Sequence, residues 1–217
     1  MPETEPLDPV TEAVVRSGVV AVLRATEAER FAAVAEVLVG AGVTALEVTL
    51  TSGGAVAALA GLIKDLPSHV VVGAGTVLTA DDAKACVDAG AAFLVAPVLV
   101  PEVSAVGAGS GVPTYPGALT PSEVFTAVRA GAPVVKLFPA SAVGPRFIRD
   151  LHGPLPGVRI MPTGGIDIDA IGAWLAAGAV AVGLGGPLLG VAADGGSLLA
   201  LADRARRASD AVTSARS

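Results

Sequence analysis

Lysine is scarce in this chain: there are three, against eleven arginines. Lys64 closes a charged helical stretch and Lys84 sits among aspartates, so both read as solvated surface. Lys136 differs, because Val134-Val135-Lys136-Leu137-Phe138-Pro139 holds no other charge. Lysine is almost never buried without a partner or a task. An ammonium withdrawn from water gives up its proton more readily, and the neutral amine can attack a carbonyl to form a Schiff base. The plainer alternative is a structural lysine paired with a carboxylate of the same sheet. Glu47 is the natural partner in either case, as the one carboxylate in Ala45-Leu46-Glu47-Val48-Thr49-Leu50. Strand alternation puts Glu47, Thr49 and Thr51 on one side. If that side faces inward, Glu47 can approach Lys136 and shuttle protons, or hold it in a salt bridge without catalytic role.

Two glycine pairs suggest anion binding. Gly164-Gly165 and Gly185-Gly186 each end an apolar run and open a turn. Glycine lets backbone N–H groups point at an anion, although it serves tight turns equally well. Pro187 weakens the second pair, since it brings neither N–H nor hydroxyl. Cys86 reads as a small hydrophobe, Trp174 and Met161 as packing residues, and His152 as part of a loop. Cys86 is the only cysteine, and His69 and His152 stand in no metal-ligand spacing, so no metal or other cofactor is implied.

These residues must be positioned by a repeating pattern. Eight short β-rich runs begin at Val19, Ala45, Val70, Phe93, Val112, Val134, Arg159 and Val180. Ala-rich helical patterns separate them. Glu27 to Ala41 has apolar residues at helical spacing, Asp81 and Asp82 follow a Thr79 cap, Thr120-Pro121-Ser122-Glu123 reads as a capping box, and Asp167 starts the helix of Ile171 and Trp174. Nearly continuous apolar strands indicate a parallel sheet buried on both faces. Eight β-then-α units predict an α/β fold, a TIM (β/α)8 barrel, in one domain over residues 9–211. Residues 1–8 and 212–217 read as loose tails. In such a fold chemistry gathers at the C-terminal strand ends, here Arg24, Glu47, Thr49, Thr51, Thr76, Pro97, Tyr115, Lys136, Phe138, Thr163 and the two glycine pairs.

Composition narrows the function. Of 217 residues, 53% are hydrophobic and 16% charged, which excludes disorder. The net charge of −6 disfavours a nucleic-acid partner. Ala170 to Ala193 lacks any charge and is long enough to span a bilayer. It nevertheless contains six glycines and Pro187, and aspartates flank it, so it reads as protein core with no membrane role. The acidic, proline-rich N-terminus has no targeting pattern, and the expected compartment is the cytoplasm.

The strings LEVTL, VGAGTVL, FLVAP, PGALTPSE, VVKLFPA and MPTGGI, in that order, resemble the 2-keto-3-deoxy-6-phosphogluconate / 4-hydroxy-2-oxoglutarate aldolases. The likeness runs from about Val20 to Leu189, and its most specific element is Lys136, Phe138, Pro139 and Ala140 combined with Glu47. It implies a metal-independent class I aldolase that cleaves a 4-hydroxy-2-oxo acid to pyruvate and an aldehyde, usually as a homotrimer. By likeness Lys136 is the Schiff-base lysine and Glu47 the general acid/base. Thr76 and Thr163 would hold the pyruvate half, and Pro97 and Phe138 would line its pocket. Gly164, Gly165, Gly185 and Gly186 would face a phosphate or distal carboxylate, and Arg24 resembles a basic residue many relatives carry. Where many relatives have an arginine this chain has Thr51, where some have a serine it has Pro187, and where S-P-G is common it has Ala96-Pro97-Val98. The first two changes remove donors for an anionic substrate, which makes a smaller acceptor such as glyoxylate plausible. A phosphosugar isomerase or epimerase, or a barrel that only binds a small acid, are the competing readings.

Overall fold

The computed structural model describes residues 6–217. Nine strand segments follow in chain order: β1 (Val19–Leu23), β2 (Ala45–Thr49), β3 (Val71–Gly75), β4 (Leu94–Val95), β5 (Thr114–Tyr115), β6 (Gly117–Ala118), β7 (Val135–Leu137), β8 (Ile160–Pro162) and β9 (Val182–Leu184). Six form one sheet in the order β5-β4-β3-β2-β1-β9, and three form another, β6-β7-β8. Their pairings are parallel. Isolated parallel bridges at Ile160–Ala179 and Thr163–Gly183 join β8 to the β9 segment. The fifth apolar run, expected as one strand, divides into β5 and β6 around Pro116. Proline has no N–H to give to a ladder, so pairing passes from β4 to β7 across that residue.

The helices are α1 (Pro9–Ser17), α2 (Phe31–Gly40), α3 (Ala55–Asp65), α4 (Ala80–Asp88), α5 (Pro101–Ser110), α6 (Pro121–Arg129), α7 (Arg146–His152), α8 (Ile171–Ala176), α9 (Gly186–Leu189) and α10 (Leu198–Arg216). Side chains cap the starts of α1, α4, α6 and α10. Asp8 accepts from the Val10 and Thr11 N–H groups ahead of Pro9 at the first turn of α1. Thr120 and Glu123 close the capping box of α6. α2 and α8 each begin one turn later than the sequence pattern implies, because a 3-10 turn precedes them.

Two expectations about the ends need correction. Residues 212–216, read as a loose tail, are the last turns of α10. Val212 is buried, and Arg216 donates to the carbonyls of Val15, Arg16 and Val180. Those contacts order the segment. Of the expected N-terminal tail, residues 1–5 lie outside the described residues, while Asp8 is fixed as the α1 cap. His152, expected in a loop, is the last residue of α7, its Nε2 3.0 Å from the Val158 carbonyl oxygen.

The apolar residues form two clusters. The larger lies where helices pack on strands and includes Leu23, Phe31, Leu46, Leu94, Leu137, Ile160 and Trp174. The smaller gathers Val20, Ala45, Phe93, Val95, Tyr115, Val134, Met161 and Ala181 with Val14 of α1. Tyr115, expected at a strand end, stacks on Phe93 in this inner cluster with ring centroids 5.4 Å apart. The single Thr11 hydroxyl proton goes to Asp8 Oδ2, so Tyr115 donates its own to Thr11 Oγ1. Burial holds the Tyr115 phenol well above its ordinary pKa, against the opposing pull of the Thr11 bond. The uncharged stretch from Ala170 to Ala193 resolves into α8, β9, α9 and short turns. Among the described residues no helix is long and apolar enough to cross a membrane.

Candidate active site

Strand alternation lifts the next layer above the inner cluster. Two residues beyond Ala45, Val134, Met161 and Ala181 stand Glu47, Lys136, Thr163 and Gly183. Lys136 is 4% exposed and Glu47 1%, which is unusual for either residue type. Lys136 Nζ lies 3.6 Å from Glu47 Oε1. Neither Glu47 oxygen has a hydrogen-bond partner. A buried carboxylate with open acceptor positions is costly as a structural feature, and is what a group that must take up and release protons requires.

Glycines make the room. A Cβ on Gly75 would collide with the Glu47 carboxylate, and one on Gly183 with the Thr163 side chain. Below them, a Cβ on Gly73 would enter the Phe93 ring. Gly73 pairs with Glu47 and Gly75 with Thr49 across β2 and β3. The sequence reading passed over these residues, although glycine inside a strand signals close approach of another group.

Phe138 stands beside the pair, and other expected site residues follow the ends of β1, β3 and β8. Lys136 Nζ sits 5.4 Å from the Phe138 ring centroid, within cation–π range. Phe138 is 36% exposed and so forms a wall open to solvent on one side. Thr163 is buried, while Gly164 and Gly165 follow it with φ of 92° and 71°, a left-handed turn that glycine adopts without strain. Thr76 follows β3 with φ 58°, the one positive-φ residue other than glycine among the described residues. For a β-branched side chain that geometry is strained. Arg24 is exposed just beyond β1, and its Nη2 donates to Thr76 Oγ1 at 3.4 Å.

Thr51 is placed differently from expectation. Strand β2 ends at Thr49, so Thr51 does not continue the inward row. It lies exposed in the following turn and donates to Thr49 Oγ1. Thr49 is fully buried and spends its proton on the Leu23 carbonyl. The Pro97 carbonyl packs over Gly117, where a Cβ would strike it. Gly185 precedes α9 and Pro187 lies in its first turn, while the Leu188 and Leu189 N–H groups bond back to the Gly185 carbonyl. The Leu188 and Leu189 donors are therefore spent within the turn. Cys86 is buried, and burial first, then Asp82, pushes its thiol up to about 11. No group of His, Cys, Asp and Glu suited to a metal occurs among the described residues.

The sequence model of the family described as "Aldolase: KDPG and KHG aldolase" matches residues 10–195. The chain is 32% identical over 170 residues to the 2-dehydro-3-deoxy-6-phosphogalactonate aldolase of Escherichia coli K12, covering 78% of this chain and 83% of that one. It is 36% identical over 157 residues to the KHG/KDPG aldolase of the same organism, covering 71% and 73% of the two chains. Among solved structures, a KDPG aldolase from Legionella pneumophila with pyruvate captured as a covalent carbinolamine superposes with a TM-score of 0.80. The two are 29% identical, with 95% of this chain and 98% of that one covered.

Proposed function

The chain belongs to the KDPG and KHG aldolase family, and on that premise we propose that it cleaves a 4-hydroxy-2-oxo acid to pyruvate and an aldehyde through a Schiff base on Lys136. The observation that carries this reading is the buried Lys136–Glu47 pair, 3.6 Å apart, with both carboxylate oxygens free of hydrogen bonds.

Transfer of a proton from Lys136 to Glu47 leaves a neutral amine beside a protonated carboxyl group. The amine attacks the C2 carbonyl carbon and forms a carbinolamine. Glu47 returns its proton to the departing hydroxyl, water leaves, and an iminium remains. Glu47, again a carboxylate, removes the C4 hydroxyl proton. The C3–C4 bonding electrons flow into the iminium, the aldehyde departs, and an enamine of pyruvate stays on Lys136. Protonation at C3 and attack by water release pyruvate and restore the amine. Phe138 shields one side of the lysine from water, and in this reading Thr163 and Thr76 hold the pyruvate carboxylate. No metal takes part in this scheme.

The two sheets and the bridges between β8 and β9 support a closed eight-stranded barrel, with β5 and β6 counted as one interrupted strand. A homotrimer, formed from single-domain subunits, is the assembly we infer from the family. The decisive experiment is borohydride reduction with pyruvate followed by peptide mass mapping. An adduct on Lys136, lost in Lys136→Ala together with cleavage, is the expected outcome. An unmodified Lys136, or full activity in Lys136→Ala, would overturn the reading and favour isomerase chemistry.

A further inference from the structure

A chain of contacts leads outward from the lysine to a residue with no role in the chemistry above. Lys136 Nζ faces the Phe138 ring. The same ring packs on Gly164, where a Cβ would stand 3.0 Å from Phe138 Cε2. Gly165 comes next, and a Cβ there would stand 2.6 Å from Ser141 Cβ and 2.9 Å from Ser141 Oγ. The Ser141 side chain therefore lies directly over the Gly165 backbone. Its own N–H donates to the Gly164 carbonyl at 3.0 Å, which locks the turn after β7 to the turn after β8. Ser141 is exposed, and its hydroxyl has no hydrogen bond among the described residues. It is thus held in position by its neighbours with its donor unspent.

We propose that Ser141 is a specificity-determining residue that hydrogen-bonds the distal oxyanion of the substrate, the group that leaves with the aldehyde. This inference rests on the aldolase reading. A substrate bonded through C2 to Lys136 extends along Phe138 toward Gly164, Gly165 and Ser141. At that end the Thr51 hydroxyl donates to Thr49, Pro187 has no N–H, and the Leu188 and Leu189 N–H groups bond back to the Gly185 carbonyl. Ser141 supplies a donor on the opposite flank of the Gly164-Gly165 turn. A carboxylate and a phosphate share the acceptor chemistry it would recognise.

The test compares Ser141→Ala with the unaltered enzyme on three substrates: 4-hydroxy-2-oxoglutarate, 2-keto-3-deoxy-6-phosphogluconate and 4-hydroxy-2-oxopentanoate, which ends in a methyl group. A hydrogen bond to a charged acceptor corresponds to a loss of roughly tenfold or more in kcat/KM. That loss is expected for the carboxylate or the phosphate substrate, and which one suffers identifies the natural distal group. The methyl-terminated substrate should be unaffected. Equal loss on all three substrates, or loss on none, would overturn the proposal. Pyruvate trapping on Lys136 by borohydride is run on both proteins. Trapping that persists in both separates a wrong assignment of Ser141 from a failure of the aldolase reading itself.

Discussion

At the scale of single residues, the site combines a charged pair with the spaces that admit it. Glu47→Gln keeps the shape of the side chain but cannot accept a proton as a carboxylate does. It should lower kcat by about 10²–10⁴-fold, the usual range for a general acid/base, while pyruvate trapping on Lys136 slows without disappearing. Gly75→Ala tests the space instead. Its new methyl group must displace the Glu47 carboxylate, and overpacking of this kind costs about 1–3 kcal/mol. Activity should fall to background even at temperatures where circular dichroism reports a folded protein. Thr76 is the converse case, a strained backbone at the site mouth. Thr76→Gly relieves strain of about 1–3 kcal/mol, less about 1 kcal/mol for glycine's extra freedom in the unfolded chain. A rise in Tm accompanied by a fall in kcat/KM is the expected pairing, and a Tm that drops would show that the strain is not there.

At the scale of elements, a capping box fixes where α6 begins. In α6 the Glu123 carboxylate accepts from the Leu119 and Thr120 N–H groups at 2.8 and 2.9 Å. Those bonds, with the Thr120 side chain, hold its pKa below the usual glutamate value. A group whose folded pKa is lowered stabilises above its unfolded pKa, and that contribution disappears as pH falls through the folded value. Stability of the native protein should therefore decline from about pH 4.3 downward in part through Glu123. Glu123→Gln should be less stable near neutrality and lose less on acidification, as followed by urea unfolding at pH 7 and pH 3. An unchanged pH slope would count against the cap as its source. The capping box was legible in the sequence because its two residues are three apart in one short segment. The break of the fifth strand at Pro116 was missed, although the missing N–H is written in the residue itself.

At the scale of the whole molecule, the C-terminal helix fastens the N-terminal face. Arg216 reaches the carbonyls of Val15, Arg16 and Val180, so the end of α10 ties α1 to the approach of β9. Arg216→Ala would leave three carbonyls without that partner. Because the residue is partly exposed and water can replace some of the loss, about 1–2 kcal/mol is expected. For a chain of this size that lowers Tm by several degrees, with kcat essentially unchanged because the opposite end of the sheets carries the chemistry. A thermal melt alongside steady-state kinetics checks both. The expectation of a loose tail over 212–217 failed here for a plain reason. VTSARS is polar, and contacts with segments distant in the chain, Val15 and Arg16 some 200 residues earlier and Val180, order it.

By itself the sequence determined the alternation of strand and helix, the buried character of the strands and the pair of residues that packing alone would not select. Lys136 and Glu47 could be found because a charge within an apolar run is conspicuous without any coordinates. The fold then decided what linear spacing cannot express. It brought two residues 89 positions apart in the chain within 3.6 Å, turned Thr51 out of the inward row, and used Gly75 and Gly183 as spaces for side chains of neighbouring strands. It also set Ser141 over Gly165. Each of these depends on which strands are neighbours and on where a strand stops, and those follow from long-range pairing and packing, not from the chemistry of any one segment.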